Sequence, residues 1–181
     1  MQVKHIVGID PDLKRSGLAI WDVSGQWVYH KAVSFSDLIL RVTMLCQKED
    51  TVIILEAGWL NRKSNFRKGF SKRKSDRISK NVGENQATGK HLSEILSGAG
   101  YQVIEQKPLP KGPLKGKSWT EAGRKFIQDN SGITGRLNDE ERDAIYLILM
   151  KKQSIIQSTN TISNGSTTRT GPLYKGHGNN D

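Results

Sequence analysis

The sequence predicts an α/β domain built on a mixed five-stranded sheet, an antiparallel meander followed by parallel strands, with helices flanking it. Short apolar runs separated by turn residues open the chain, and later apolar runs alternate with segments of helical periodicity. Two of the apolar runs end directly in a carboxylate. Because 181 residues normally form one domain with a real core, we expect the strands to share one sheet.

Turn and cap signals set the order of the elements. The predicted strands are residues 2–10, 17–23, 27–33, 51–56 and 101–105. The predicted helices are residues 36–47, 76–97, 118–129 and 138–153. Ser24-Gly25 marks a hairpin turn between two apolar runs. Ser36 and Ser118 are predicted helix caps, the second in a capping box with Glu121.

The last part of the chain has a different composition from the rest. Residues 154–181 are rich in Ser, Thr, Asn and Gly, and their few large apolar residues have no period. Ordering such a segment costs backbone entropy that little burial offsets. The sequence therefore predicts a domain over residues 1–153 and a disordered polar tail over residues 154–181.

Carboxylates at the ends of two strands indicate a cation site. Asp10 closes a β-branched run and is followed by Pro11, which forces the strand to turn. Glu56 follows the continuous apolar run 51–55. Desolvating a carboxylate costs several kcal/mol unless a partner compensates, so two such groups at one sheet edge favour a divalent cation.

A third set of acids lies in the last predicted helix. Asp143 stands in an otherwise apolar stretch, beyond the first helical turn where acids are ordinary. Glu140 lies three residues earlier and Asp139 four, so either shares a helix face with Asp143. Oxygen ligands of this kind suit Mg²⁺ or Mn²⁺ and not zinc.

Most of the net charge of +10 comes from residues 61–80. This run holds nine basic residues against Asp76, with two phenylalanines between them. It is either a solvated linker or, as we predict, a loop that binds phosphates and stacks its rings on bases. The predicted DNA-contacting residues are Arg62, Lys63, Phe66, Arg67, Lys68, Phe70, Lys72, Arg73, Lys74, Arg77 and Lys80, together with Lys111 and Lys115 of the Pro/Gly/Lys-rich segment 108–117.

Composition also restricts the class of protein. The chain has no run of eighteen apolar residues and no signal peptide at its start. Cys46 is the only cysteine, with apolar neighbours typical of a core position, and the four histidines lack zinc-ligand spacing. We expect a reducing cytoplasmic setting and no membrane association.

The order of these motifs resembles the RuvC-type Holliday-junction resolvases of the ribonuclease-H-like superfamily, over about residues 3–150. The segments that carry the resemblance are Gly8-Ile9-Asp10-Pro11, Ser16-Gly17-Leu18-Ala19, Glu56, residues 81–90, Lys111, Lys117 and Glu140-Glu141-Arg142-Asp143-Ala144. Three features depart from the family pattern. Asp12 replaces a usual Gly, Glu140 replaces a usual Asp, and the longer basic loop looks more like phage-encoded relatives.

The resemblance implies an Mg²⁺-dependent endonuclease that resolves four-way DNA junctions by paired nicks. Two Mg²⁺ ions, for which Mn²⁺ substitutes, would be held by Asp10, Glu56, Glu140 and Asp143. Lys117 would stabilise negative charge in the transition state. Paired nicks imply a twofold homodimer, for which the small residues Gly83, Ala87 and Gly89 mark a candidate interface helix. A phage-encoded member would act in the bacterial host cytoplasm.

Other functions remain compatible with parts of this pattern. The chemistry is equally suited to forks, flaps or single strands, and a non-catalytic nucleic-acid-binding module is a further alternative. The strand-end acid also occurs in the actin/sugar-kinase group. Those folds need two such domains and further Gly-rich phosphate loops, which the chain lacks.

Overall fold

The sheet and its helices are seen in the computed structural model, which describes residues 2–61, 71–111 and 119–164, the side chains of 119, 120 and 160–164 excepted. The strands are β1 His5–Asp10, β2 Ser16–Asp22, β3 Trp27–Val33, β4 Thr51–Glu56 and β5 Gln102–Gln106. The α-helices are α1 Phe35–Leu45, α2 Lys72–Gly98, α3 Arg124–Ser131 and α4 Asp139–Asn164. A π-helical turn, Trp119–Gly123, leads into α3.

The strand order is β3-β2-β1-β4-β5. The first three strands pair antiparallel, whereas β1 with β4 and β4 with β5 pair parallel. The predicted fold class, a meander continued by parallel strands between helices, is therefore confirmed.

Each face of the sheet carries its own hydrophobic core. On one face Ile6 and Ile54 pack with Ile127 of α3 and Ile145 of α4. On the other face Val7 and Ile9 pack with α1 and α2. Successive side chains of β1 point to opposite faces, so this strand is covered on both sides and ends at Asp10 between the two layers.

Two glycines let α4 lie directly on the sheet. A Cβ at Gly8 would overlap the carbonyl oxygen of Ala144, and a Cβ at Gly17 would overlap that of Glu140. Because β1 and β2 present no side chain at these points, the backbone of α4 approaches them closely. This contact fixes how α4 is rotated over the sheet.

The starts of two helices differ from the predicted ones. The cap of α1 is Ser34, whose Oγ accepts a hydrogen bond from the Asp37 N–H, and not Ser36. The helix α2 begins at Lys72 rather than Asp76, so the second half of the basic run is helical and not a loop. The first half, residues 62–70, and the predicted cap Ser118 lie outside the described residues.

The last helix is longer than the sequence predicts. It was expected to end at Gln153, but α4 continues to Asn164. Ile155 is buried against the core, and Ile156 packs beside it. The two isoleucines supply burial that the composition of the segment conceals, so the predicted helix end at Gln153 is wrong by eleven residues. The division into domain and tail stays a prediction, since residues 165–181 are not described.

The environment of Cys46 agrees with the expectation of a core position. Cys46 is buried, and burial raises the pKa of its thiol to about 12, so it is a core residue and not an activated nucleophile. In the described part of the chain, no helix combines the length and the apolar character needed to cross a membrane.

Candidate active site

Asp10 and Glu56 lie side by side at the carboxyl ends of the two central strands, β1 and β4. Their strands are parallel neighbours, and the residues just before them, Ile9 and Leu55, are register partners. Both preceding residues are fully buried, whereas the two carboxylates are half-buried. The two strand-end acids therefore lie next to each other, as the sequence predicts.

Asp143 reaches the same strand ends from α4. The N-terminus of α4 is capped reciprocally, because the Asn138 N–H donates to Glu141 while the Glu141 N–H donates to Asn138 Oδ1 over 2.7 Å. From this cap the helix runs across Gly17 and then Gly8. Asp143 therefore stands beside the end of β1.

The three carboxylates repel one another in a desolvated setting. Burial raises the pKa of Asp10 well above its ordinary value, and the charges of Glu56 and Asp143 raise it further. Burial and then Asp143 raise the pKa of Glu56 to about 7. The pKa of Asp143 is also raised, mainly by burial. Groups that share a shift of this kind form one electrostatic unit.

Lys111 provides the positive charge next to this unit. Its Nζ lies 2.5 Å from Oδ2 of Asp143. The same ammonium opposes the rise in the pKa of Asp10 and of Glu56. The preceding residue, Pro110, accepts a hydrogen bond from the Tyr146 hydroxyl over 3.1 Å, which holds this segment against α4. Lys111, predicted from sequence to contact DNA, thus lies at the acids.

The side chains of Glu140 and Asp139 have different surroundings in the structure. The charge of Glu140 raises the pKa of both Asp10 and Asp143. The Asp139 side chain is 72% exposed and forms an ion pair with Arg142. Of the two acids that the sequence left open, Glu140 is therefore the one whose charge acts on Asp10 and Asp143. We call Asp10, Glu56, Glu140 and Asp143 together the acidic unit.

Sequence reasoning missed the role of Asn85. Its Nδ2 donates to Oδ2 of Asp12 over 2.9 Å, and its Oδ1 accepts from the Leu13 N–H over 3.0 Å. Oδ1 of Asp12 in turn accepts from the Lys14 N–H over 2.8 Å. The turn after β1 is therefore tied to α2. No local sequence signal marks this pairing, since 73 residues separate Asn85 from Asp12.

No protein-family model matches the sequence, and no curated protein matches it. Among solved structures, T. thermophilus RuvC in complex with Holliday junction substrate aligns with a TM-score of 0.54 at 13% identity, covering 86% of this chain and 96% of that one. A second Thermus thermophilus RuvC structure gives 0.49 at 15%, covering 86% and 97%. The Fowlpox virus resolvase bound to Holliday junction DNA gives 0.44 at 18%, covering 86% and 98%.

The sheet topology together with the first of these alignments decides the fold. The chain has a ribonuclease-H-like fold. In this ribonuclease-H-like sheet the acidic unit lies at the ends of the two central parallel strands, β1 and β4.

The donor chemistry of the acidic unit fits a hard divalent cation. All its donors are carboxylate oxygens, and within the described residues Oδ1 of Asp143 is buried and accepts no hydrogen bond. Across residues 2–61, 71–111 and 119–164, however, no three His, Cys, Asp or Glu side chains are grouped closely enough to hold a metal ion. Here the ammonium of Lys111 is the cation in contact with Asp143.

The predicted DNA-binding residues divide into two groups. Those on the first turns of α2 are described: Lys72, Arg73, Lys74, Arg77 and Lys80. Arg73, Lys74 and Arg77 line a cavity of about 360 Å³, while Lys80 pairs with Glu84. The described group also includes Lys111, which lies at the acids. The remaining predicted DNA-binding residues lie outside the described residues, as does the predicted catalytic Lys117: Arg62, Lys63, Phe66, Arg67, Lys68, Phe70 and Lys115.

Proposed function

We propose that this chain is a divalent-cation-dependent DNA endonuclease that resolves four-way junctions by paired nicks. The observation that carries the proposal is the acidic unit, in which burial and then neighbouring carboxylates raise the pKa values of Asp10, Glu56 and Asp143. Such clusters are rare outside functional sites, because each uncompensated charge costs stability.

The residues of the acidic unit have distinct positions for this chemistry. Asp10, Glu56, Glu140 and Asp143 would hold the cation, Mg²⁺ by preference, after moving closer together than the structure of the described residues places them. A divalent cation bound there supplies an activated water and neutralises charge on the phosphoryl oxygens. The half-buried setting of Asp10 and Glu56 limits competing solvent, which strengthens every electrostatic contact at these strand ends.

Lysines complete the proposed site. Lys111, which contacts Asp143, would stabilise negative charge that develops on the phosphate. Lys117 is proposed for the same role from its match to the resolvase motif. The basic first turns of α2 would bind the phosphates of the flanking duplex, with sequence-independent and salt-dependent affinity.

Paired nicking requires two copies of the active site, so we propose a twofold homodimer. Not every small residue of α2 is available for the candidate interface. A Cβ at Gly89 would overlap the ring of Trp59 and crowd Pro11, so Gly89 serves packing within the chain. Gly83 faces open space and remains in the candidate interface.

A nuclease of broader specificity is the second candidate. The row of basic residues on α2 would contact phosphates on any branched or single-stranded DNA, because phosphate contacts carry no sequence information. A non-catalytic binding module is the third alternative. The presence of all four acids in the sequence argues against it.

The test is a cleavage assay on labelled four-way junction, fork, flap and single strand, with Mg²⁺ and with EDTA. We expect symmetric nicks in the junction that need Mg²⁺ and that Asp10→Asn abolishes while DNA binding persists. Asp129→Asn, in an exposed i,i+4 pair on α3, is the matched control and should cut normally. Cutting by Asp10→Asn at above about a tenth of the wild-type rate would overturn the assignment, and equal cutting of forks would favour the second candidate.

A further inference from the structure

A second charged feature lies on the opposite side of the acidic unit from α2. A cleft of about 770 Å³ opens between α3 and the start of α4. Three arginines and two acids line it: Arg124, Arg136, Arg142, Asp139 and Glu140. None of the arginines belongs to the basic run that the sequence analysis singled out.

The charges in this cleft do not cancel. Asp139 forms an ion pair with Arg142, which is only 4% exposed and so forms a fixed part of the wall. Glu140 contributes one further negative charge to the lining. Arg124 and Arg136 also line the cleft and are exposed to solvent, so their two positive charges exceed the one negative charge of Glu140.

The shape of the cleft depends on the connection between α3 and α4. Gly132 ends α3 with a φ of 71°, and Gly135 has a φ of 105°. These left-handed conformations are ones that glycine adopts without strain. They turn the chain so that Arg136 and Arg124 line the same cleft.

Glu140 connects the cleft to the proposed site of cleavage, because it lines the cleft and also belongs to the acidic unit. On the other sheet face, Asn85 of α2 contacts the turn after β1. The basic residues of α2 begin at Lys72, about 20 Å further along that helix. The acidic unit thus lies between a basic helix on one face and an arginine cleft on the other.

We propose that the arginine cleft binds the phosphodiester backbone of the strand that passes through the acidic unit, on the side away from α2. The proposal rests on the proposed function, since it takes DNA as the substrate. Guanidinium groups match phosphate oxygens in a bidentate geometry. A strand held on both sides of the reacting phosphate is fixed in position for attack.

The experiment measures binding without cleavage. Wild type and variants are titrated against a labelled four-way junction in EDTA, at several salt concentrations, and the slope of log K against log salt is recorded. Each lost phosphate contact should reduce the slope by about 0.7–0.9. We therefore expect Arg124→Ala and Arg136→Ala each to reduce it by about that amount and the double variant by about twice as much.

A neighbouring residue provides the matched control. Lys125 is next to Arg124 on α3, is 77% exposed, and pairs with Asp129 outside the cleft. Lys125→Ala removes the same charge and should leave the slope nearly unchanged. Arg124→Lys with Arg136→Lys should keep most of the slope, which separates the loss of charge from a folding defect.

The outcomes separate this inference from the proposed function. A double variant with the slope of Lys125→Ala would overturn the cleft proposal, even if the wild-type protein nicks junctions. A reduced slope supports the cleft even if no cleavage is seen in Mg²⁺, a result that would count against the nuclease alone.

Discussion

Nζ of Lys111 lies 2.5 Å from Oδ2 of Asp143. The Asp143 charge raises the pKa values of Asp10 and Glu56, and the Lys111 ammonium lowers them. The Asp143 and Lys111 side chains are 18% and 28% exposed, so solvent screens the pair only partly. The positive charge offsets repulsion among Asp10, Glu56 and Asp143. Lys111 is therefore a structural counter-charge in the metal-free protein as well as a proposed contact of the phosphate.

Removing this counter-charge should destabilise the metal-free protein. We expect Lys111→Met to lower the free energy of unfolding by about 1–3 kcal/mol in EDTA, because a partly buried charge loses its partner. Lys107→Met, at an exposed position on the same segment, should change it by less than about 0.5 kcal/mol. Denaturant unfolding followed by circular dichroism measures both. Equal midpoints for the two variants would mean that the contact contributes nothing.

The raised pKa of Glu56 predicts a pH dependence of stability with a definite sign. The folded protein holds a proton up to about pH 7 that the unfolded chain releases near 4.5. Stability in EDTA is thus fully present below about pH 4.5 and is lost as the pH rises toward and through 7, on the order of 3 kcal/mol for this group. Glu56→Gln should flatten the curve between pH 5 and 8, while the exposed Glu94→Gln should not. A wild-type curve that rises over this interval contradicts the electrostatic description.

Glu140 and Asp139 should behave differently despite being neighbours. Glu140→Gln should lose cleavage, because the charge of Glu140 acts on Asp10 and Asp143. Asp139→Asn should cut nearly normally, since its side chain is exposed and paired with Arg142. Single-turnover nicking of one junction by both variants checks this. The reverse result would shift the ligand by one residue.

The close approach of α4 to the sheet is testable at Gly17. Gly17→Ala places a methyl group where the carbonyl oxygen of Glu140 lies, so we expect a loss of about 1–3 kcal/mol of stability. Cleavage should fall with it, since the start of α4 moves away from Asp10. Gly83→Ala in α2, where a Cβ meets open space, should instead stabilise by about 0.5–1 kcal/mol. Thermal unfolding of both variants distinguishes a packing role from a general effect of glycine.

The extension of α4 makes residues 154–164 part of the fold. Ile155→Ala should cost about 2–4 kcal/mol, because the side chain is buried. Met150→Ala, half exposed on the same helix, should cost clearly less. Truncation after Gln153 should therefore destabilise the protein, and truncation after Asn164 should not. A protein that melts unchanged when it ends at Gln153 would show that the extension is dispensable.

The sequence alone determined the elements whose signals are local. The run Thr51–Glu56 was predicted with the bounds that the strand has, because a continuous apolar run followed by a charge is read without tertiary information. The same holds for an antiparallel meander continued by parallel strands and for the acids that end β1 and β4. The residues that end a buried strand are its neighbours in the sequence, so they can be identified without tertiary information.

Tertiary structure alone decided how side chains from distant elements are combined. Whether Glu140 or Asp139 faces Asp10 depends on the rotation of α4, which the contacts at Gly8 and Gly17 set. The partner of Lys111 lies 32 residues away, and the arginines of the cleft come from separate elements. Helical periodicity places a residue on a face of its own helix, but the packing of that helix against the sheet determines what the face meets.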